Sequence, residues 1–266
     1  MENQISGIIL AGGRSSRMGE DKALLKIGGV PLLRIVSDVA IALCNPVYVV
    51  TPWTERYQNL LSPQCQFIRE VPLSEGLGKQ LSIINNQLSI DNCSLFIDNC
   101  SNSPLVGFAQ GLSHVTTDWV LLLACDLPRL RVEVLRDWAG ILDSVDPEAI
   151  ALLTHHAKGW EPLCGFYRRS CLTALIQYII SIPNKDSYTT DTPASDIVTH
   201  PRRSDVFNCN ENRYKSGGRS FQGWLAQHSV QVLSLPDPQM LFNCNTPADY
   251  EEIQSRGEGE SIINEQ

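Results

Sequence analysis

The sequence lacks the features that mark several large classes of protein. No stretch approaches the roughly 20 continuous apolar residues of a membrane helix, and the N-terminus has no basic segment that would begin a signal peptide. The nine cysteines include no Cys-x-x-Cys spacing, which excludes a zinc ribbon and a thioredoxin-type motif. We therefore expect a cytoplasmic protein without membrane contact, whose reduced cysteines act as small buried apolar side chains.

Positive charge is also scarce. The 266 residues include 21 Lys and Arg against 29 Asp and Glu, which gives a formal net charge of −8. That balance argues against a protein that coats nucleic acid, but it leaves room for a local basic pocket that binds a small phosphorylated ligand. Hydrophobic residues make up 43% of the chain, which is enough to build a core and too many for a wholly disordered chain.

Short apolar runs alternate with amphipathic segments along most of the chain. Helices are predicted at 31–44, with Pro31 in the first turn, and at 106–115, 131–143, 171–180, 220–228 and from 246. The predicted strands are at 6–10, 47–50, 119–124, 150–153, 163–167 and 230–235. This alternation is typical of a mostly parallel central sheet with helices on both faces. We predict one α/β domain of Rossmann-like architecture over residues 1–266.

Two segments do not follow this alternation. Residues 73–102 contain a tandem duplication, and residues 181–216 are rich in Ser, Thr, Asp, Asn and Pro without an apolar period. Compact domains rarely contain structureless loops longer than about 15 residues. Both segments are therefore predicted to be flexible insertions at the surface of the domain.

A glycine-rich loop follows the first predicted strand. Residues 10–22 read Leu-Ala-Gly-Gly-Arg-Ser-Ser-Arg-Met-Gly-Glu-Asp-Lys, at the carboxyl end of a strand, where open α/β sheets bind ligands. Gly12 and Gly13 allow backbone amides to approach an anion, Arg17 offers a planar fork to phosphate oxygens, and Lys22 adds a mobile charge. The loop matches neither the Walker A pattern nor Gly-x-Gly-x-x-Gly. A glycine turn followed by solvated charges is the alternative.

Asp126 is a second candidate site residue. It follows the predicted strand at 119–124, so its carboxylate is expected at the same sheet edge as the glycine-rich loop. An oxygen ligand beside a phosphate loop suits Mg²⁺, which proteins commonly hold with one or two carboxylates and substrate phosphates. From the residues alone, a carboxylate that caps the turn before Pro128 is an equal alternative.

These residues carry a resemblance to a known family. The string Leu-Ala-Gly-Gly-x-Ser-x-Arg-Met-Gly-x-Asp-Lys-Ala-Leu-Leu resembles the signature of nucleotidyltransferases of the molybdenum cofactor guanylyltransferase type. Three further stretches are similar to segments of that family: Ser-Pro-Leu-Val-Gly at 103–107, Leu-Leu-Leu-Ala-Cys-Asp-Leu-Pro at 121–128 and Phe-Asn-Cys-Asn-Thr-Pro-Ala-Asp at 242–249. The resemblance covers essentially the whole chain apart from the two predicted insertions.

The resemblance implies an activity and its partners. It implies transfer of GMP from GTP to the terminal phosphate of molybdopterin, with release of pyrophosphate and with Mg²⁺ as the cofactor, held by Asp126. GTP and molybdopterin would be the small-molecule partners, and transient contacts with the enzymes that supply molybdopterin and accept the product are expected.

The resemblance also assigns roles to individual residues. Catalysis would depend on Arg17, Lys22 and Asp126. The nucleotide would be contacted by Leu10, Ala11, Gly12, Gly13, Lys22, Glu70, Gly107 and Asp126. Residues on the molybdopterin side would be Arg219, Asn243 and Asn245. The residues alone leave open a solvated helix start at Arg219 and asparagines that only lead into the last helix.

Four positions depart from the family pattern. Ser103 stands where Gly is usual, and Val106 stands where Ala is usual. Thr51 ends the second strand where a nucleotide-contacting Asn is usual, and Glu70 stands about where an Asp contacts the nucleotide. The departures at Thr51 and Glu70 leave open a cytidylyltransferase of the same cofactor or a sugar-phosphate nucleotidyltransferase. A non-catalytic nucleotide-binding chaperone on the same scaffold is a further alternative.

Overall fold

The structure is a computed structural model that describes residues 4–12, 20–71, 103–181 and 220–260, with the backbone alone at 256–260. The predicted insertions at 73–102 and 181–216 lie outside the described residues, apart from Ser181, which ends a helix. Both insertions therefore stay predictions.

Strands form the centre of the described structure. In chain order they are β1 (Ile5–Leu10), β2 (Lys26–Ile27), β3 (Val30–Pro31), β4 (Val47–Thr51), β5 (Cys65–Arg69), β6 (Trp119–Ala124), β7 (Ala151–His156), β8 (Gly159–Arg168) and β9 (Val230–Leu233). Seven of them form one sheet in the spatial order β5-β4-β1-β6-β8-β7-β9, and β2 pairs with β3 in a separate hairpin. Strand β8 is antiparallel to both of its neighbours, whereas the other adjacent pairs in the sheet are parallel. The predicted, mostly parallel sheet is confirmed.

Helices cover both faces of this sheet, as predicted. In chain order they are α1 (Leu32–Ile41), α2 (Thr54–Tyr57), α3 (Pro104–Ser113), α4 (Val132–Ala139), α5 (Leu172–Ser181), α6 (Phe221–Leu225) and α7 (Pro247–Glu260). Helices α1 and α4 contribute to one buried core, and α3, α5 and α6 contribute to the other. Strand β6 is apolar throughout because its alternate residues enter these two cores, Leu121 and Leu123 on one face and Val120 and Leu122 on the other.

Several predicted boundaries differ from the structure, and strands β2, β3 and β5 have no counterpart in the prediction. Pro31 does not lie in the first turn of α1: its backbone is extended, and it belongs to β3. The helix predicted at 131–143 ends at Ala139, and a short 3₁₀ turn follows at Leu142–Ser144. Strand β5 is not predicted from the sequence because polar residues interrupt its apolar run, and only Cys65 and Ile68 in it are buried.

Two general expectations can be compared with the described part of the chain. All six cysteines found there have free thiols, and five of them are buried, as expected for small apolar side chains; Cys125 is half-buried. Among the helices in these ranges, none combines the length and apolar character needed to cross a membrane.

The direction of the strands sets the position of the site. Strands β1, β4, β5 and β6 are mutually parallel, so their carboxyl ends lie along one edge of the sheet. Ala11, Glu70 and Cys125 directly follow β1, β5 and β6 at that edge. Residues far apart in the sequence are thereby brought together, as is common for ligand sites in open α/β sheets.

Candidate active site

A cleft opens at this edge of the sheet, between the end of β1, the end of β6 and the first turns of α3. Its lining includes seven of the eight residues that are predicted to contact the nucleotide: Leu10, Ala11, Gly12, Lys22, Glu70, Gly107 and Asp126. The eighth, Gly13, lies outside the described residues, as do Arg17 and Arg219. The structure therefore brings together every predicted nucleotide contact that it describes.

Asp21 anchors the segment that carries Lys22. One of its carboxylate oxygens accepts a hydrogen bond from the backbone N–H of Ala23 (3.2 Å), which caps a 3₁₀ turn that begins at Lys22. The other oxygen accepts hydrogen bonds from the Tyr57 hydroxyl and from the Arg56 guanidinium, both at 2.7 Å. Tyr57 is fully buried, and burial, followed by the hydrogen bond to Asp21, raises the pKa of its hydroxyl. The segment carrying Lys22 is thus fixed to the chain that follows β4.

The Lys22 ammonium meets two oxygen groups from distant parts of the chain. Its Nζ donates a hydrogen bond to Oδ1 of Asn245 and lies 3.6 Å from Oδ2 of Asp126. The side chains of Lys22 and Asp126 are only 20% and 17% exposed, so this ion pair is shielded from most of the solvent. The backbone N–H of Cys244 donates to the carbonyl of Asp126 (3.0 Å), which fixes the segment carrying Asn245 beside the end of β6.

Asp126 and Asn245 are the described residues best suited to a divalent cation. Within the described ranges, no group of three or more His, Cys, Asp or Glu side chains surrounds a possible metal position. A carboxylate and an amide oxygen that share one ammonium fit Mg²⁺, which takes few protein oxygens and completes its shell with phosphates and water. Burial raises the pKa of Asp126, and the Lys22 charge opposes that increase, so Lys22 favours the ionised carboxylate.

Glu70 forms the floor of the cleft opposite Asp126. Its backbone N–H donates to the carbonyl of Thr51 (2.9 Å), and its carboxyl group lies against the Cα of Gly12, where a Cβ atom would overlap with Oε2. The same carboxyl group also lies near Gly107, whose added Cβ would stand 3.8 Å from Glu70 Cδ. Burial raises the pKa of Glu70 to about 7. Gly12 therefore leaves space for a half-buried carboxyl group that lines the cleft, whereas a Cβ at Gly107 would make only ordinary contact with it.

Thr51, which departs from the family pattern, has a role in holding the loop. Its side chain is completely buried, and its hydroxyl donates to the carbonyl of Ala11 (2.9 Å) while accepting from the backbone N–H of Trp53 (3.2 Å). Thr51 thereby fixes the backbone at the end of β1 and is not among the residues that line the cleft.

The two predicted asparagines on the molybdopterin side behave differently. Asn245 contacts Lys22, as described above, and its backbone N–H donates to Oδ2 of Asp249 (2.9 Å). Asn243 donates its side-chain amide to the carbonyl of Leu241 (3.1 Å), two residues earlier in the chain. The structure thus places Asn245 at the Lys22–Asp126 pair and gives Asn243 a local hydrogen bond.

Other residues at the site have no counterpart in the sequence prediction. Asp21, Cys125 and Leu163 line the cleft, and Asp21 could have been found because it directly precedes Lys22 in the loop string. Glu161 in β8 is half-buried, with Oε2 3.6 Å from Nε2 of His156. Burial raises the pKa of Glu161, and the hydrogen bond with His156 opposes that increase; Glu161 is not among the residues that line the cleft. Its position depends on the β7–β8 hairpin, and no local sequence pattern indicates it.

Comparisons with known proteins identify the family. Residues 7–186 match the model of the MobA-like NTP transferase domain. Proteins named probable molybdenum cofactor guanylyltransferase are 47% identical in Nostoc sp. and 48% identical in Trichormus variabilis, each over 95% of this chain and 91% of the relative. The fold is similar to that of molybdopterin-guanine dinucleotide biosynthesis protein A from Archaeoglobus fulgidus, with a TM-score of 0.62 and 17% identity over 96% of this chain and all of that one. The chain belongs to the family of MobA-like nucleotidyltransferases.

Proposed function

We propose that the protein is a molybdenum cofactor guanylyltransferase, which transfers GMP from GTP to the terminal phosphate of molybdopterin. Pyrophosphate leaves, and molybdopterin guanine dinucleotide is formed. The observation that carries the proposal is the convergence in one cleft of Lys22, Asp126, Glu70 and the backbone at the end of β1. The relatives at 47% and 48% identity are named for the same activity, which supports the same substrates.

Glu70 supports guanine as the base. Guanine offers two adjacent donors, N1–H and the 2-amino group, to a carboxylate with two acceptor oxygens. Adenine, cytosine and uracil do not present two adjacent donors on their pairing edges, so a bound carboxylate would be left partly unpaired with each of them. Gly12, which has no side chain beside this carboxyl group, would let the base and sugar lie close to the backbone.

The reaction requires positioning and charge neutralisation. An ionised phosphate oxygen of the acceptor attacks the α-phosphorus in line, the new P–O bond forms, and the bond to the departing pyrophosphate breaks. Lys22 stabilises the charge that develops on the pyrophosphate, and Arg17 has the same role in the proposal. Asp126, with Asn245 beside it, would hold Mg²⁺, which when bound neutralises charge on the nucleotide phosphates. No general base is needed, because the acceptor phosphate is largely ionised near neutral pH.

The remaining parts of the proposal concern the acceptor and the setting. Arg219, Asn243 and Asn245 form the molybdopterin side, and Gly13 joins the nucleotide contacts. The enzyme works in the cytoplasm and meets, transiently, the enzymes that supply molybdopterin and accept the dinucleotide. The free thiols of the six described cysteines suit such a reducing setting.

A reconstituted reaction tests the proposal directly. The purified protein is incubated with molybdopterin, Mg²⁺ and an equimolar mixture of GTP, CTP, ATP and UTP, and the products are identified by mass. The guanine dinucleotide and stoichiometric pyrophosphate are expected. A cytosine dinucleotide would identify a cytidylyltransferase, and nucleotide binding without pyrophosphate release would identify a non-catalytic protein.

A matched pair of lysine variants tests the site in the same assay. Lys22→Ala should lower kcat/KM by about 10²–10³-fold, the usual loss for one such electrostatic contact. Lys26→Ala removes the same charge from an exposed position four residues later and should leave the rate within about twofold, because exposed charges contribute little. Equal rates for the two variants would contradict the role assigned to Lys22.

A further inference from the structure

The Lys22 ammonium lies where a divalent cation would be held. It donates to Oδ1 of Asn245 and is 3.6 Å from Oδ2 of Asp126. These two oxygens are also the protein ligands that the site offers to Mg²⁺. A lysine ammonium and a hydrated metal ion compete for the same carboxylate, because each neutralises it and the two cations repel one another at contact distance.

Backbone hydrogen bonds fix the segments that carry these two oxygen ligands. The backbone N–H groups of Asn245 and Thr246 donate to Oδ2 of Asp249 at 2.9 and 2.7 Å, and the N–H of Cys244 donates to the Asp126 carbonyl. Helix α7 is fixed to the β2–β3 hairpin because the Tyr250 hydroxyl donates to the carbonyl of Lys26 (2.7 Å). A small buried cluster of Leu25, Leu32, Cys244 and Ile253 joins the same elements.

The Lys22 side chain is therefore the movable member of the group. Its backbone is fixed through the hydrogen bonds of Asp21, but its side chain is a flexible stem with four carbons that carries a point charge. Lysine can exchange one oxygen partner for another without a change in backbone conformation. The oxygens of a triphosphate are stronger partners for it than one carboxylate and one amide, since they carry more negative charge.

We propose that Lys22 occupies the metal position in the nucleotide-free enzyme and gives it up when a nucleoside triphosphate binds. The ammonium moves to the phosphates, and the divalent cation takes its place on Asp126 and Asn245. The metal ion alone then binds weakly, and the metal and the nucleotide strengthen each other's binding by the same factor. This inference rests on the proposed function for the identity of the nucleotide and the metal.

Metal binding without nucleotide tests the exchange. Mn²⁺ serves as the probe, and free Mn²⁺ is measured by electron paramagnetic resonance during titration of the full-length protein. Lys22→Met, which keeps the length of the side chain and removes its charge, should bind Mn²⁺ about tenfold more tightly than the wild type, within the usual range of coupling. Lys22→Gln, as a second uncharged variant, should behave in the same way.

Two control variants test whether the tighter Mn²⁺ binding arises at the pair formed by Lys22 and Asp126. Lys26→Met makes the same change in net charge at an exposed position and should shift the Mn²⁺ dissociation constant by no more than about twofold, as expected for a screened surface charge. Asp126→Asn in the Lys22→Met background should abolish the gain. Thermal unfolding of each variant checks that it is folded.

The outcomes separate this inference from the proposed function. If neither Lys22→Met nor Lys22→Gln binds Mn²⁺ more tightly than Lys26→Met, or if the gain survives Asp126→Asn, the exchange is wrong even when the wild type makes the guanine dinucleotide. If the gain appears and depends on Asp126 but the wild type makes no dinucleotide, the exchange stands and the proposed function is wrong.

Discussion

The cleft and the β7–β8 hairpin beside it are built in different ways. The side proposed to bind the nucleotide, called the nucleotide side, consists of backbone at the end of β1 with the Glu70 carboxyl group against Gly12. At the same edge of the sheet, but outside the residues that line the cleft, the hairpin presents Glu161 and the exposed His155 and His156. In the proposed function, the nucleotide side binds its ligand against backbone and a half-buried carboxyl group, and a methyl group added at Gly12 would have to displace that carboxyl group. At the hairpin His156 is exposed, so solvent weakens its contact with Glu161.

Among these changes, a methyl group added at Gly12 on the nucleotide side should lower the activity most. In Gly12→Ala, the new Cβ overlaps with the Glu70 carboxyl group and approaches Cδ of Pro52 to 3.2 Å. Overpacking of this kind costs about 1–3 kcal/mol. If that cost falls on nucleotide binding, kcat/KM for GTP should drop by about 10–100-fold.

The same methyl group elsewhere provides the control. Gly140→Ala lies at the exposed end of α4, where its Cβ meets only ordinary contacts of 3.4 Å or more, so activity and stability should be unchanged. A Gly12→Ala enzyme with normal kinetics for GTP would show that the close packing on this side does not recognise the nucleotide.

Glu70→Gln separates the charge of the nucleotide side from its shape. The amide keeps one acceptor and places an N–H₂ group against guanine donors, so the preference for GTP over ATP should fall about tenfold, which corresponds to about 1.4 kcal/mol. The pKa of Glu70 is about 7, and only the ionised form accepts both guanine donors. KM for GTP should therefore rise as the pH falls from 8 to 6 in the wild type and stay level in the variant.

The same variant has a predicted effect on stability. Burial raises the folded-state pKa of Glu70 from 4.5 to about 7, so ionisation of this group lowers the stability of the folded state. The loss of stability develops as the pH rises and is complete above pH 7. Glu70→Gln should therefore unfold at a higher temperature than the wild type at pH 8, with a smaller difference at pH 5. A pH-independent difference would show that Glu70 does not titrate in this range.

Tyr57→Phe tests how rigidly the nucleotide side holds Lys22. The change removes one hydrogen bond to Asp21 at constant ring volume, which typically costs about 1 kcal/mol, so kcat should fall about fivefold. In a Lys22→Ala background the same change should have no further effect on kcat, since Asp21 acts through Lys22.

Tyr48→Phe is the matched control. Tyr48 is also buried, in the core that contains α3, and its hydroxyl donates a hydrogen bond to the carbonyl of His114 (3.2 Å). It should lower thermal stability by a similar amount and leave kcat unchanged. A loss of kcat from Tyr57→Phe that persists without Lys22 would indicate general destabilisation.

Glu161→Gln should have the smallest effect of these variants. Its side chain lies outside the lining of the cleft, and its partner His156, at 3.6 Å, is exposed, so removing its charge should change KM for molybdopterin by no more than about twofold to threefold, in the range of weak surface contacts. KM for GTP should not change. A large change in KM for GTP would instead show that the hairpin and the nucleotide side do not act on different substrates.

The sequence predicts contacts within the glycine-rich loop better than contacts between distant segments, for a physical reason. Contacts such as Gly12 and Lys22 lie within one continuous loop, so their spacing carries information about their geometry. The contacts of Tyr57 with Asp21 and of Lys22 with Asn245 join residues 36 and 223 positions apart, and only the folded sheet brings them together. The central strands are recognisable because both of their faces are buried, whereas Gln66 and Arg69 interrupt the apolar run of β5. Thr51 differs from the expected residue, but its bond to Ala11 emerges only in the structure.

The antiparallel direction of β8 creates a hairpin whose tip can vary in length. Since β7 runs parallel to β9 and β8 returns antiparallel between β7 and β6, the tip of their hairpin lies at the edge of the sheet that carries the cleft. Residues can be added to or removed from that tip, around Ala157 and Lys158, without shifting the register of β1, β4 and β6. Related enzymes could thereby accept new phosphorylated partners while the machinery that handles the nucleotide stays the same.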